Sequence, residues 1–300
     1  MYCSSIEAQA PGSAGAVSDV ASVQAEPAAQ LRLVFSADPN RRTYLHRQRA
    51  SYPFHVCRAL YLDPDLPGMA TIYAQSSSGG IYEGERLSVD VRACPQARAH
   101  ITTQASTIVH EMSTGEAHHE INLIAESDSL IEYLPDPLIL FPDARLHSMT
   151  TVEITRGATV ILGDAFLSHD PEDRGRSFDL LENELAIRDS SGRLLVRDRF
   201  RVTGQQLKKG QPGITGEHSH VATVVAATER LPADVLSSAM RDALNACPDV
   251  YAGISALPDD AGVWARLLAT HGAPLKSAVT DLWSALRYQL TGAAPGRRRK

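Results

Sequence analysis

From Leu31 to about residue 230, apolar side chains fall on every second position, in short runs bounded by turn residues. Arg86-Leu87-Ser88-Val89-Asp90-Val91-Arg92 is one such run, and Leu31-Arg32-Leu33-Val34-Phe35 and Thr150-Thr151-Val152-Glu153-Ile154 are others. Successive strand side chains point to opposite sides, so this alternation buries one face of each strand. Only after Ala233 does the apolar period lengthen to helical values. Strands that precede helices, instead of alternating with them, exclude a βαβ fold. The pattern predicts a mainly β protein of about ten strands or more, with a small C-terminal α-helical section.

Within the β region a frame recurs. Ala97-Arg98-Ala99-His100-Ile101-Thr102-Thr103 can be laid over Ser129-Leu130-Ile131-Glu132-Tyr133-Leu134-Pro135, and over Ala158-Thr159-Val160-Ile161-Leu162-Gly163-Asp164, at offsets of 32 and 29 residues. In each copy a small residue opens a strand and a polar or turn motif closes it. Periods of this size suggest stacked units, as in a β-solenoid or in layered sheets. Other segments read singly. Phe54-His55-Val56 is a strand, with Cys57 beside it as a small core filler. Asp189-Ser190-Ser191-Gly192-Arg193 is a hairpin loop, and residues 169–176 form a charged loop. Helices are expected over residues 233–246, from Asp259-Asp260 through Val263, Trp264, Leu267 and Leu268, and over residues 278–290, with a strand over residues 251–257.

Residues 1–30 are rich in Ala, Ser, Gly, Pro and Gln without periodicity, and are expected to be a disordered head. One β-rich domain is expected over residues 31–292, followed by a basic disordered tail over residues 293–300. A formal charge of −6 gives no reason to expect a nucleic-acid partner. No apolar run is long enough for a membrane helix, and the first thirty residues lack the Lys or Arg of a signal peptide. The four cysteines have no C-x-x-C spacing and are too sparse for a disulfide framework, which points to a reducing cytoplasm.

No motif specifies a reaction. Gly79, Gly80 and Gly84 are followed by Glu85-Arg86, so the phosphate-loop pattern is absent. His118 and His119 lie in a dense run with Glu120, near His110 and Glu111. Neighbouring strand residues face opposite ways, however, so those two histidines cannot share one ion. No G-x-S-x-G elbow occurs. Glu132, Asp136 and Asp164 end repeat-like strands. If brought together in an open cleft they could serve a carbohydrate-active β-solenoid enzyme through paired-carboxylate hydrolysis. Against this, Asp136 between two prolines suits a turn, and aromatic content is only 6%, little for sugar stacking.

Three segments in order resemble the urease accessory protein family UreD, called UreH in some systems. They are Gly79-Gly80-Ile81-Tyr82-Glu83-Gly84-Glu85, Thr102-Thr103-Gln104-Ala105 and Leu134-Pro135-Asp136-Pro137. Two departures stand out. Glu85 takes an Asp position, and Arg176 takes a Glu position, a charge reversal in the loop of residues 169–176. The resemblance implies a cytoplasmic, non-enzymatic scaffold without a permanently bound cofactor. It would bind UreF directly and the GTPase UreG through UreF, and would dock on the urease apoprotein while nickel is inserted. It also implies a polar internal route for the ion, for which Thr102, Thr103, Gln104 and Asp136 are the candidate transient contacts.

Overall fold

The structure, a computed structural model, describes residues 30–211 and 213–298. The expected disordered head therefore falls almost wholly outside the described residues. The chain runs through β1 (Leu31–Ala37), β2 (Thr43–Ala50), β3 (Phe54–Val56), β4 (Ala70–Ser76), β5 (Arg86–Ala93), β6 (Arg98–Thr103) and β7 (Thr107–Val109). It continues as β8 (Ala117–Ala125), β9 (Leu130–Tyr133), β10 (Leu138–Leu140), β11 (Arg145–Ile154), β12 (Thr159–Ser168), β13 (Leu180–Asp189) and β14 (Leu194–Val202). The short helix α1 (Gly204–Lys208), β15 (His220–Thr228), α2 (Ala233–Leu244), β16 (Val250–Ala256), β17 (Gly262–Ala269) and α3 (Gly272–Thr291) complete it.

Two sheets face each other. One has the order β14-β13-β11-β8-β5-β1-β2, the other β16-β17-β15-β12-β9-β6-β4-β3, with β7 and β10 joining the end of β12. Their middles are parallel and repeat coil by coil. Arg86 pairs with His118 and His118 with His147 in the first sheet, while Arg98 pairs with Leu130 and Leu130 with Thr159 in the second. The offsets are again 32 and 29 residues, so the frame visible in the sequence is the coil length of a solenoid.

The same turn makes the bend between sheets in three successive coils. It is Cys94-Pro95-Gln96-Ala97, then Glu126-Ser127-Asp128-Ser129, then Thr155-Arg156-Gly157-Ala158, each closed by an N–H···O bond of 3.0 Å from its fourth residue to its first. The third residue has positive φ each time, 63°, 59° and 72°, which favours Gly, Asn or Asp and tolerates proline just before it. The fourth residue is small and fully buried (Ala97, Ser129 and Ala158), because it points into the angle where the sheets meet. Inward side chains such as Val91, Leu123, Val152, Ile131 and Val160 fill the space between the sheets.

Helices α2 and α3 cover the outer face of the second sheet around Val263, Ala265, Leu267, Leu236 and Leu282. The helix expected from Asp259 is instead strand β17. Val263, Ala265, Leu267 and Ala269 are buried on one side of it, and it pairs antiparallel with both β15 and β16. Apolar residues at 263, 264, 267 and 268 satisfy a helical stripe and a two-sided strand equally, and pairing to two neighbours decides between them. Asp260 still caps a helix, but it is α2, whose Ala233 N–H it accepts at 2.8 Å. Cys57 is exposed, not core, because Val56 takes the inward position. The basic tail is anchored at Arg298, which pairs with Asp63 at 2.9 Å. No helix among the described residues is long and apolar enough to cross a membrane.

Candidate functional site

The three motif segments meet at one corner of the solenoid. The Thr102 hydroxyl donates to the Leu134 carbonyl at 2.6 Å, the Asp136 N–H donates to Thr103 Oγ1 at 2.8 Å, and the Thr107 N–H donates to the Pro137 carbonyl at 3.2 Å. The second motif is thus laddered to the third across one coil. Gly80 explains the glycine pair, since a Cβ there would lie 2.5 Å from the Ile108 carbonyl and 2.7 Å from the His110 ring. Tyr82 stacks on that ring at 4.3 Å. Gly84 has a φ of 79° at the third position of a turn, with open space around it. Gly80→Ala is therefore expected to lower stability by about 2–4 kcal/mol, and Gly84→Ala by about 1 kcal/mol. Thermal melting of the two variants checks the order.

Behind this corner a cavity of about 550 Å³ runs between the inward faces of the sheets. Gly79, Gly80, Thr103, Gln104, Pro135 and Asp136 line it; Thr102 and Leu134 face the other way, and Gly84 and Pro137 lie off it. The exposed part of the lining, at His55, Ser76, Ser77, Gly79 and Gln104, marks its mouth. Asp136 is nearly buried beside it, with Lys276 Nζ at 3.7 Å. Deeper in, one row of register partners runs His119, Ser148, Asn183 along the first sheet. Facing it on the second sheet are Thr103, Asp164 and Thr223. Asn183 donates to the Asp164 carboxylate and so bridges the two rows. At the far end Asp198 accepts from Arg266 at 2.7 Å. A seam of hydroxyls, amides and carboxylates thus threads a core that is otherwise apolar.

Burial sets the charges in this seam. It pulls the His119 imidazole down to about 4, so the ring is neutral at pH 7. It pushes the Asp164 carboxyl up, with Asn183 opposing, and it pushes the Tyr133 phenol up as well. His118, the neighbour of His119, faces outward, where its ring stacks on His147 at 5.1 Å and both share the Glu116 carboxylate. His110, His118 and His119 accordingly do not converge. No group of three or more His, Cys, Asp or Glu among the described residues could hold a metal ion.

Glu132 is separated from Asp136 and Asp164. It lies on the outer face beneath α3, fully buried, and accepts from Arg287 Nε at 2.7 Å and from His100 Nδ1–H at 2.9 Å. Arg287, also fully buried, reaches Asp63 as well. Burial alone would raise the Glu132 pKa, but Arg287 and His100 hold it down to about 2. A carboxylate locked in this way reaches no cleft and serves no hydrolysis. Arg176, at the charge-reversed position, stands among Glu172 at 3.1 Å, Glu111 at 3.4 Å and Asp143 at 3.6 Å. Acidic neighbours thus compensate for the reversal.

The sequence profile described as UreD urease accessory protein matches residues 27–300. The chain belongs to that family. It is 42% identical over 272 residues to urease accessory protein UreD 1 of Pseudomonas syringae pv. tomato, covering 91% of this chain and 95% of the relative. It is 39% identical over 271 residues to UreD 1 of Methylorubrum extorquens, 90% of this chain and 91% of the relative. It is 34% identical over 258 residues to UreD of the more distant Natronomonas pharaonis, 84% of each. By the names they carry, the UreD relatives are accessory proteins of urease. Of the residues at the mouth, Gly79 and Gln104 belong to the motif segments, whereas His55, Ser76 and Ser77, and the interior row of His119, Ser148 and Asn183, do not. The 29-residue step from 119 to 148 was available in the recurring frame; the longer step to 183 was hidden by the charged loop of residues 169–176.

Proposed function

We propose that this protein is a urease accessory scaffold that conducts nickel through the interior of its solenoid towards apo-urease. In this reading it binds a UreF-like partner directly and a UreG-like GTPase through that partner, in the cytoplasm where urease is assembled. The observation that carries the reading is the polar seam, which opens at the corner where the motif segments meet. Oxygen donors such as those of Thr103, Gln104, Asp136 and Asp164 hold a late divalent ion less tightly than imidazole or thiolate does. Weak contacts suit a conduit, since an ion held by a closed ligand set is not passed on. Nickel is cargo here, not a resident cofactor.

Asp136→Asn tests the reading. It keeps the side-chain volume and leaves the backbone N–H on Thr103, while it deletes the charge beside the mouth. The variant is expected to co-purify with its partners and apo-urease as the parent does, and to lower the nickel content and activity of the matured urease several-fold. Loss of assembly would make Asp136 structural. Assembly with fully loaded urease would remove this charge from the path.

A further inference from the structure

At the cavity mouth, strand β3 and the residue that follows it turn two donors of a different kind outward. Phe54 and Val56 face inward, so alternation sends His55 and Cys57 to the exposed side together. His55 lines the mouth of the cavity. Cys57 is exposed, and its Sγ lies 3.8 Å from His55 Nε2. A late divalent ion bonds thiolate sulfur at about 2.3 Å and imidazole nitrogen at about 2.0–2.1 Å, so one ion would span that separation with an N–metal–S angle of about 120°.

We propose that His55 and Cys57 form an acceptor site for a late divalent transition-metal ion at the entrance of the cavity. The donor chemistry sets the preference. Thiolate and imidazole favour nickel, cobalt, copper or zinc over magnesium and calcium, whereas the oxygen donors deeper in the cavity discriminate poorly among them. Two protein donors, with no third His, Cys, Asp or Glu completing a cluster among the described residues, leave coordination positions open. Such a site is exchangeable and fits handover, not storage. On binding, the ion takes the thiolate and the Nε2 lone pair, the S–H bond breaks, and the proton leaves to solvent. The assignment rests on the conduit reading only for where the ion goes next.

The test is titration of the full-length chain with Ni²⁺ or Co²⁺ under reducing conditions, following the near-ultraviolet thiolate-to-metal charge-transfer band. The band is expected in the parent and in Cys3→Ser, Cys94→Ser and Cys247→Ser, and is expected to vanish in Cys57→Ser. His55→Ala is expected to weaken binding by at least about tenfold, since loss of an outer-shell partner alone costs that much. Excess Mg²⁺ should not compete. A parent without the band, or a band that survives Cys57→Ser, overturns the assignment and leaves the pair as a thiol–imidazole hydrogen bond. The two ideas fail separately. No band together with nickel-poor urease from Asp136→Asn sinks the acceptor and keeps the conduit, and the reverse result sinks the conduit alone.

Discussion

Arg287→Met is expected to destabilise the protein by about 3–5 kcal/mol, because it strips the cation from a fully buried ion network. Arg287 Nε and NH2 clamp both oxygens of Glu132, and NH1 reaches Asp63. Without Arg287, Asp63 keeps Arg298 at 2.9 Å, but Glu132 retains only a hydrogen bond from His100, whose imidazole pKa burial pulls down. An isolated carboxylate at that depth is the costly product. The sign of a second change is therefore fixed. Adding Glu132→Gln to Arg287→Met should recover part of the loss, because Gln Oε1 still accepts the His100 N–H while the orphaned charge disappears. The melting temperature is expected to fall by roughly 10 °C in the single variant and to rise again in the double variant. A double variant no more stable than the single would mean that α3 is held by its apolar face at Leu275, Leu282 and Leu286 and not by this network.

The solenoid was legible because its corners repeat. Each bend needs a residue tolerant of positive φ followed by a small residue in a closed angle, so Gln96-Ala97, Asp128-Ser129 and Gly157-Ala158 carry the period even though their chemistry differs. The chain beyond β14 has no such period. β15, β17 and β16 add to the second sheet antiparallel, and nothing local to residues 262–269 separates a strand from a helix. Pairing partners about 40 residues upstream in the sequence decide it: Val263 meets Ala226, and Leu267 meets Ala222. The anchoring of the tail is illegible for a related reason. Arg298 is bound by Asp63, a single residue in a loop far from it in sequence, and no pattern in a basic run announces such a partner.

The site was half legible. Two of its motif segments, Thr102-Thr103 and Leu134-Pro135, stand on consecutive coils 32 residues apart, which is the coil length, while Gly79-Gly80 lies outside that frame. The depth of the cavity depends on parity, which assigns His118 to solvent and His119 to the interior; the sequence separates these two rings but does not say which of them is inside. Glu132, Asp136 and Asp164 looked equivalent as strand-end carboxylates. In the structure Glu132 faces α3, while Asp136 and Asp164 face the cavity, because Glu132 stands one place before the inward Tyr133 and Asp164 two places after the inward Leu162.

His119 should make stability steeply dependent on pH on the acid side of neutrality. Its imidazole ordinarily titrates at 6.5 and is held at about 4 in the folded protein. Between those values the unfolded chain binds a proton that the folded chain refuses. The contribution is thus fully present above pH 6.5 and is lost as pH falls towards 4, for a total of about 3 kcal/mol. Burial lowers His100 and His220 too, and they act in the same direction. Glu132, with its folded pKa near 2 against an ordinary 4.5, acts only in the lower window between those values. Asp164, whose carboxyl is raised by burial, opposes the trend as it is protonated. His119→Gln keeps a polar side chain facing Ser148 and the cavity but cannot take up the proton. Urea unfolding from pH 7.5 to 4.5 is expected to show a slope shallower by up to about 1.4 kcal/mol per pH unit in the variant, the weight of one proton. The curves should cross, with the variant gaining on the parent as pH falls. Parallel curves would mean that water in the cavity solvates the imidazolium, and that His119 stands ready to be charged as well as neutral on the path of an ion.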